Sequence, residues 1–279
     1  MNSQELSLQR LAEQWEHLTI TNDIMFGMVM ENNDICLELI RRCLPELHIN
    51  AISRLVPQKQ VTGPLNSRAV RFDVFVRDDR NRTFVVEMQV ANKNNLPFRL
   101  RYYQQQIDYD LLNVGEEYDK LARYPTYVII FCAFDYFHLG LSKYQFENRC
   151  ITHPDLQLGN GRQIIIFNAK ATEFHDNMKL RGFLKLMENQ VVEHDPFVNR
   201  ICTEMEQIRQ DPIRRHGFMK YELDLMDAHS DGVKETCRGT IKMLEKMGLN
   251  QDQIVNQLTE YCHLSHAEAV ELVKQQVSQ

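Results

Sequence analysis

Val70-Arg71-Phe72-Asp73-Val74-Phe75-Val76-Arg77, then Asp78-Asp79-Arg80-Asn81-Arg82, then Thr83-Phe84-Val85-Val86-Glu87-Met88-Gln89-Val90: this stretch decides the fold. Its two outer parts are rich in β-branched and aromatic residues, and the part between them is short and polar. The spacing predicts two extended segments, 69–77 and 83–90, paired as an antiparallel hairpin. Side chains alternate across a strand. Phe84, Val86, Met88 and Val90 therefore share one face of the second strand, and Val85, Glu87 and Gln89 the other. In the first strand Val70, Phe72, Val74 and Val76 fall together, opposite Arg71, Asp73, Phe75 and Arg77. Each strand offers one apolar face to a helix, and carboxylates sit on the other. If Asp73 and Glu87 come within about 4 Å, their repulsion costs on the order of 4 kcal/mol at an effective dielectric near 20. Either one carboxyl takes a proton or a cation sits between them. Two side-chain oxygens with the backbone carbonyl of Met88 suit a hard, hydrated ion such as Mg2+. A half-exposed hairpin whose polar face meets only water fits the same spacing.

Outward from the hairpin, the chain alternates helix and strand. Pro97 suits a helix start, Leu100, Tyr103, Ile107, Leu111 and Val114 recur at helical spacing, and Gly115 ends the run. Arg99, Tyr102 and Gln106 form a stripe beside the apolar one; Arg99 has two readings, a phosphate contact or a pair with Asp108 or Glu87. Thr126 to Phe131 reads as a strand buried on both faces, with further strands at 144–147 and 163–167. Upstream, Thr21-Asn22-Asp23 and Asn32-Asn33-Asp34 cap two short helices, the second closed by Pro45, and an extended segment covers 48–56. From about Asp195 the texture turns to long polar helices, broken at Asp231-Gly232 and at Lys246-Met247-Gly248. Two short amphipathic helices follow, at 251–261 and 265–275. The expected division is 1–195 for the α/β part and 196–279 for a helical C-terminal region.

Bulk properties exclude several classes. The chain has 279 residues, 43% hydrophobic and 25% charged, with a mean hydropathy of −0.42. That is a globular composition with no apolar run of membrane-spanning length. The polar start Met1-Asn2-Ser3-Gln4-Glu5 does not resemble an export signal, and seven scattered cysteines read as reduced thiols, so a cytoplasmic location is expected. No phosphate-cradling glycine loop appears, which argues against a nucleotide cofactor. Cys262-His263 with His266, and Cys150 with His153, lack zinc-site spacing. His138, His175 and His194 are isolated. The formal net charge is −6, yet between Ser53 and Arg101 ten basic residues face four acidic ones. That segment is +6 and the remainder −12. Its basic residues are Arg54, Lys59, Arg68, Arg71, Arg77, Arg80, Arg82, Lys93, Arg99 and Arg101, of which Arg77, Arg80 and Arg82 also read as solvated turn arginines.

Taken in order, a helix, a hairpin with Asp73 and Glu87-Met88-Gln89, and a polar helix resemble the PD-(D/E)xK phosphodiesterase core. More narrowly, the chain resembles the Rpn family of bacterial recombination-promoting nucleases, also described as transposase-like. The matching pieces are Thr21-Asn22-Asp23-Ile24-Met25-Phe26, Val70-Arg71-Phe72-Asp73-Val74, Val86-Glu87-Met88-Gln89, Arg99-Leu100-Arg101-Tyr102-Tyr103 with Asp108, and Tyr127-Val128-Ile129-Ile130-Phe131. Asp135-Tyr136-Phe137 and Tyr144-Gln145-Phe146-Glu147-Asn148 extend the likeness, which runs over roughly 18–221. It implies an α/β restriction-endonuclease-like core, a mixed central sheet flanked by helices, with a helical C-terminal region. It also implies an endonuclease that cuts DNA with Mg2+ or Mn2+. Asp73, Glu87 and Met88 would hold the metal, with Gln89 where the wider superfamily has lysine. Arg99, Arg101 and Tyr102 would contact substrate, and Asp23 would take a supporting place. Gly27 and Met28 stand where the family often has a basic residue after the first helix begins.

Other classes remain open from the sequence. One is a catalytically weak or inactive nucleic-acid-binding accessory protein of the same fold, favoured if Mg2+ does not bind. Another is a partner-binding protein acting through the C-terminal helices, in a bacterial conflict system. Ile254, Leu258, Tyr261, Leu264, Ala267, Val270 and Leu272 fit a small helical hairpin, either a DNA-placing motif or a packing and homo-oligomer module. Glu260, Glu268 and Glu271 make a poor DNA surface.

Overall fold

The computed structural model describes residues 3–57, 60–61, 70–109, 111–112, 114–174, 178–190, 194–262 and 264–277. Lys59 and Arg68 of the basic segment, Ala69 at the start of the expected first strand, His175 and His263 lie outside the described residues. Along the chain the elements are α1 (Ser3–Glu16), α2 (Asp23–Met30), α3 (Asn33–Cys43), β1 (Ile52–Pro57), β2 (Gln60–Val61), β3 (Val70–Arg71), β4 (Val74–Asp78) and β5 (Thr83–Gln89). Then come α4 (Leu96–Tyr109), β6 (Thr126–Cys132), β7 (Lys143–Glu147), β8 (Arg162–Asn168), α5 (Met178–Met187), α6 (Pro196–Gln210), α7 (Pro212–Lys246), α8 (Gln251–Tyr261) and α9 (His266–Val277). Two compact units result: Glu13–Pro212, which holds the sheet and includes α6, and Met1–Ala12 with Ile213–Gln279.

The sheet has six strands in the order β1-β4-β5-β6-β8-β7. It is mixed. β1 pairs antiparallel with β4, and β4 with β5; β5, β6 and β8 run parallel to one another, and β7 is antiparallel to β8. The parallel step follows from α4, which carries the chain back before β6 begins. The expected hairpin is present, with Val74 opposite Val86 and Arg77 opposite Thr83. Its turn is built rather than loose. Asp78 accepts backbone N–H groups of Arg80 and Arg82 at 2.9 Å, and its other oxygen takes the Arg82 Nε at 2.6 Å. Arg82 also reaches the Leu47 carbonyl, so it is a buried turn staple and not a solvated arginine. Arg77 lies half-buried with its guanidinium over the Tyr124 ring, while Arg80 is exposed.

Both faces of the sheet are covered. On one, Phe75, Val85, Val128, Ile130 and Ile166 pack against Leu96, Leu100, Tyr103 and Ile107 of α4. On the other, Phe131 stacks on Phe167 and meets Phe183 of α5 edge-on at 4.8 Å. Glu87 alternates with Val85 and so lies on the α4 face, within the core rather than on a wet side of the hairpin. The expected first strand is interrupted. β3 ends at Arg71 and pairs with β2 in a separate two-stranded sheet, and β4 starts at Val74. The break turns Phe72 away from the Val74 face and into the α4 cluster, 5.1 Å edge-to-face from Tyr103.

Asn22 and Asn32 cap α2 and α3, as their positions before the apolar runs predict. Helix α4 is shorter than its periodicity suggests. It ends at Tyr109, where the Leu111 N–H turns back to the Asp108 carbonyl, and Val114 is fully exposed. Helix α7 runs through Asp231-Gly232 without a break. A glycine inside a long helix costs only about 1 kcal/mol, which its flanking turns absorb. The break at Gly248 is real, with φ at +85°. Cys237, Ile241 and Leu244 of α7 pack with Ile254, Val255 and Leu258 of α8 and Ala269, Leu272 and Val273 of α9. Of the expected hairpin residues, Ile254, Leu258 and Leu272 are buried in this cluster and Leu264 and Val270 pack against it, whereas Ala267 and Tyr261 are exposed.

Candidate active site

The β4–β5 ladder stops at Val74 and Val86, and there the two strands diverge. Two carboxylates replace the missing rungs. Asp73 Oδ2 accepts the Met88 backbone N–H at 2.9 Å, and Glu87 Oε1 accepts the Asp73 backbone N–H at 2.9 Å. Each acid thus holds the main chain that carries the other, which fixes their separation without any third element. Asp73 is 9% exposed and Glu87 2%. Burial first, and then the charge of Asp73, push the Glu87 carboxyl up to about 8. The Asp73 N–H, Arg99 and Tyr103 pull the other way without overcoming them.

Helix α4 brings the counter-charge. Arg99 Nη2 lies 3.2 Å from Glu87 Oε2, and its Nη1 donates to Gln89 Oε1. Its Nε donates to the Tyr103 hydroxyl, which in turn donates to Glu87 Oε2 at 3.3 Å. One turn of helix separates Arg99 from Tyr103, so a single rigid element supplies both partners. Of the two sequence readings for Arg99, the pair with Glu87 is present; Asp108 instead pairs with Arg162 of β8. The Gln89 amide is held from both ends, since its Nε2 donates to the Ala91 carbonyl at 2.7 Å. Burial and the charge of Glu87 raise the Tyr103 hydroxyl pKa, so it stays a donor.

Asp73, Glu87, Gln89 and Arg99 therefore meet, with the Met88 backbone between them. Other expected site residues lie differently. Arg101 is exposed on α4, and Tyr102 is half-buried against the core cluster on that side of the sheet. Asp23 is exposed in the first turn of α2, where it accepts the Ile24 N–H. Lys93 is exposed in the loop before α4. Tyr103 was legible only as a member of the apolar stripe; its spacing of four from Arg99 was the signal for its polar role. Gln106, three residues further along the same helix, is 3% exposed and its Oε1 has no hydrogen-bond partner.

The two acids thus sit where β4 and β5 part, the second in a Glu-x-Gln run, and α4 brings an arginine to them. Residues 23–195, more than half of the chain, match the model of the PD-(D/E)XK nuclease family transposases. The chain belongs to that family. No match was found among curated proteins or among solved structures. The matched segment of this PD-(D/E)XK family member spans the whole six-stranded sheet and stops before α6. No described helix is long and apolar enough to cross a membrane.

Proposed function

We propose that this protein is a metal-dependent DNA endonuclease that hydrolyses phosphodiester bonds in recombination or transposon-like processes. The observation that carries the reading is the reciprocal clasp of Asp73 and Glu87 beside Arg99. A purely structural site has little reason to bury two repelling carboxylates where a strand pair opens. The donor set fits a hard divalent ion. It is all oxygen, it is acidic, and a bound cation would offset both the burial and the Asp73 charge that raise the Glu87 carboxyl. Asp73, Glu87 and the Met88 carbonyl would hold Mg2+ or Mn2+. No third His, Cys, Asp or Glu joins them among the described residues, which leaves positions for water and phosphate oxygen. When bound, such an ion lowers the pKa of a water and polarises the phosphoryl oxygen.

The protein's own groups supply the rest. Gln89 carries no charge, so it does not replace the superfamily lysine electrostatically. It holds Arg99 through its Oε1, and the guanidinium stands where positive charge is needed as the phosphate gains negative charge. Arg99 is 37% exposed and can meet a substrate from that position. Tyr103 steadies the guanidinium and shares Glu87 with it. Burial and the charge of Asp73 push the Glu87 carboxyl toward its protonated form, and a divalent ion held there would favour the carboxylate.

One observation favours a second reading, a nucleic-acid-binding accessory protein without catalysis: Arg99 Nη2 at 3.2 Å and the Tyr103 hydroxyl at 3.3 Å already partner Glu87 Oε2 with the protein's own groups. Supercoiled plasmid incubated with the protein, with and without Mg2+, separates the two. Cleavage that needs Mg2+ and disappears in Asp73→Ala and Glu87→Ala proteins that still fold is the expected result. DNA retention without cleavage under every metal condition would establish the accessory role instead.

A further inference from the structure

Away from the candidate active site, two thiols meet in the helical unit. All seven cysteines of the chain are free. Cys237 lies in the interior of α7, and Cys262 is the residue that ends α8. The Cys237 thiol donates a hydrogen bond to the Cys262 sulfur. Cys237 is 1% exposed within the cluster that joins α7, α8 and α9, and Cys262 is half-buried and packs against that cluster. Burial first, and then its contact with Cys262, push the Cys237 thiol up to about 11, so it keeps its proton until a reaction removes it. Packing alone accounts for Cys237, since a buried cysteine behaves as a small apolar side chain. It does not account for Cys262, whose side chain lines an open groove between α7 and α9 with Val233, Arg238, Leu264 and Leu272.

One sulfur is therefore open to a reagent, and a second waits behind it in contact. That is the arrangement of an attacking thiol and a resolving thiol. Cys36, Cys43 and Cys132, by contrast, are wholly buried and present no sulfur to solvent. We propose that Cys237 and Cys262 form a reversible dithiol–disulfide site that staples the end of α8 to α7 in the presence of a low-molecular-weight disulfide such as oxidised glutathione. The Cys262 sulfur gives up its proton and attacks one sulfur of the reagent. The reagent's S–S bond breaks, and one small thiol leaves with that proton. The Cys237 sulfur then gives up its proton and attacks the Cys262 sulfur, and the second small thiol leaves. Two protein thiols are oxidised by two electrons, and one small disulfide is reduced to two thiols. The new bond closes a loop that contains the whole of α8, so it restricts how α8 can open from α7. The site stands independently of the nuclease reading.

The full chain, fully reduced and then freed of reductant, is incubated with oxidised glutathione, and the remaining thiols are alkylated. Peptide mass spectrometry without reduction should find Cys237 joined to Cys262 within one chain, and dithiothreitol should return both thiols. Hydrogen exchange of the α8 amides should slow by at least about tenfold in the oxidised chain, because the closed loop disfavours local opening. Cys262→Ser should give neither the link nor the slowing. Cys237→Ala should leave glutathione attached to Cys262, since no second sulfur is there to displace it. A parent chain that keeps glutathione on Cys262, that links to a second chain, or that leaves both thiols open to alkylation would overturn the pairing. A link that leaves α8 exchange unchanged would overturn the staple.

Discussion

Glu87 couples the state of the site to the stability of the fold. Its carboxyl is pushed up to about 8 in the native chain, against about 4.3 in an unfolded one. The folded state therefore binds the proton more tightly. The stabilisation this gives is complete below the unfolded value and is lost as pH rises through about 8. Urea unfolding in a chelator should show the protein weaker at pH 8.5 than at pH 5.5, with this residue contributing on the order of a few kcal/mol. Glu87→Gln should flatten that slope, and Asp73→Asn should reduce it, because the charge of Asp73 is the second cause of the shift. A Glu87→Gln protein with the parent slope would place the pH dependence elsewhere. At this scale the shared face of Glu87 and Gln89 was legible, because alternation fixes which strand residues lie together. The mutual capping of Asp73 and Glu87 was not, since it depends on where β4 stops pairing, and nothing in Phe72-Asp73-Val74 marks that break.

Among elements, α4 would, under the nuclease reading, decide how the site meets DNA. Arg99 points to Glu87 and Gln89, whereas Arg101, two residues on, is exposed to solvent. Arg99→Ala should lower the Mg2+-dependent cleavage rate by on the order of a hundredfold, the scale of one lost stabilising donor, with little change in DNA affinity. Arg101→Ala should leave the rate per bound complex near the parent value and reduce the salt slope of binding by about one phosphate contact. Rates at saturation and affinities across a salt series measure both, and the reversed pattern would exchange the two roles. The strands β5, β6 and β8 were legible as short apolar runs between polar turns, and α8 was legible to the residue. The end of α4 was not. Val114 keeps the helical period, but the chain turns at Leu111 and periodicity carries no information about that turn. Gly232 misled in the other direction, because a helix as long as α7 tolerates a glycine that would end a short one.

For the molecule as a whole, the sheet, its covering helices and the clasped acids all belong to Glu13–Pro212. A protein ending after Pro212 should keep its strand signal in circular dichroism and, under the nuclease reading, its Mg2+-dependent cleavage. Loss of the strand signal would show that the sheet needs the later helices. The composition indicated a globular α/β chain with a helical end, and the packing of α8 and α9 against the last turns of α7 follows from their apolar periods. The compact unit that holds the sheet includes α6, which reads in sequence like the polar helices that follow it.

The groups from Asp73 to Tyr103 that clasp the two acids come from one uninterrupted run of the chain. Closing so short a loop costs little entropy, so the order in which distant segments dock bears little on whether these groups find each other. The run is also short enough to pass between genes as one piece. An exchange that swaps everything before Asp73 or after α4 would leave the clasped groups together on one inherited segment.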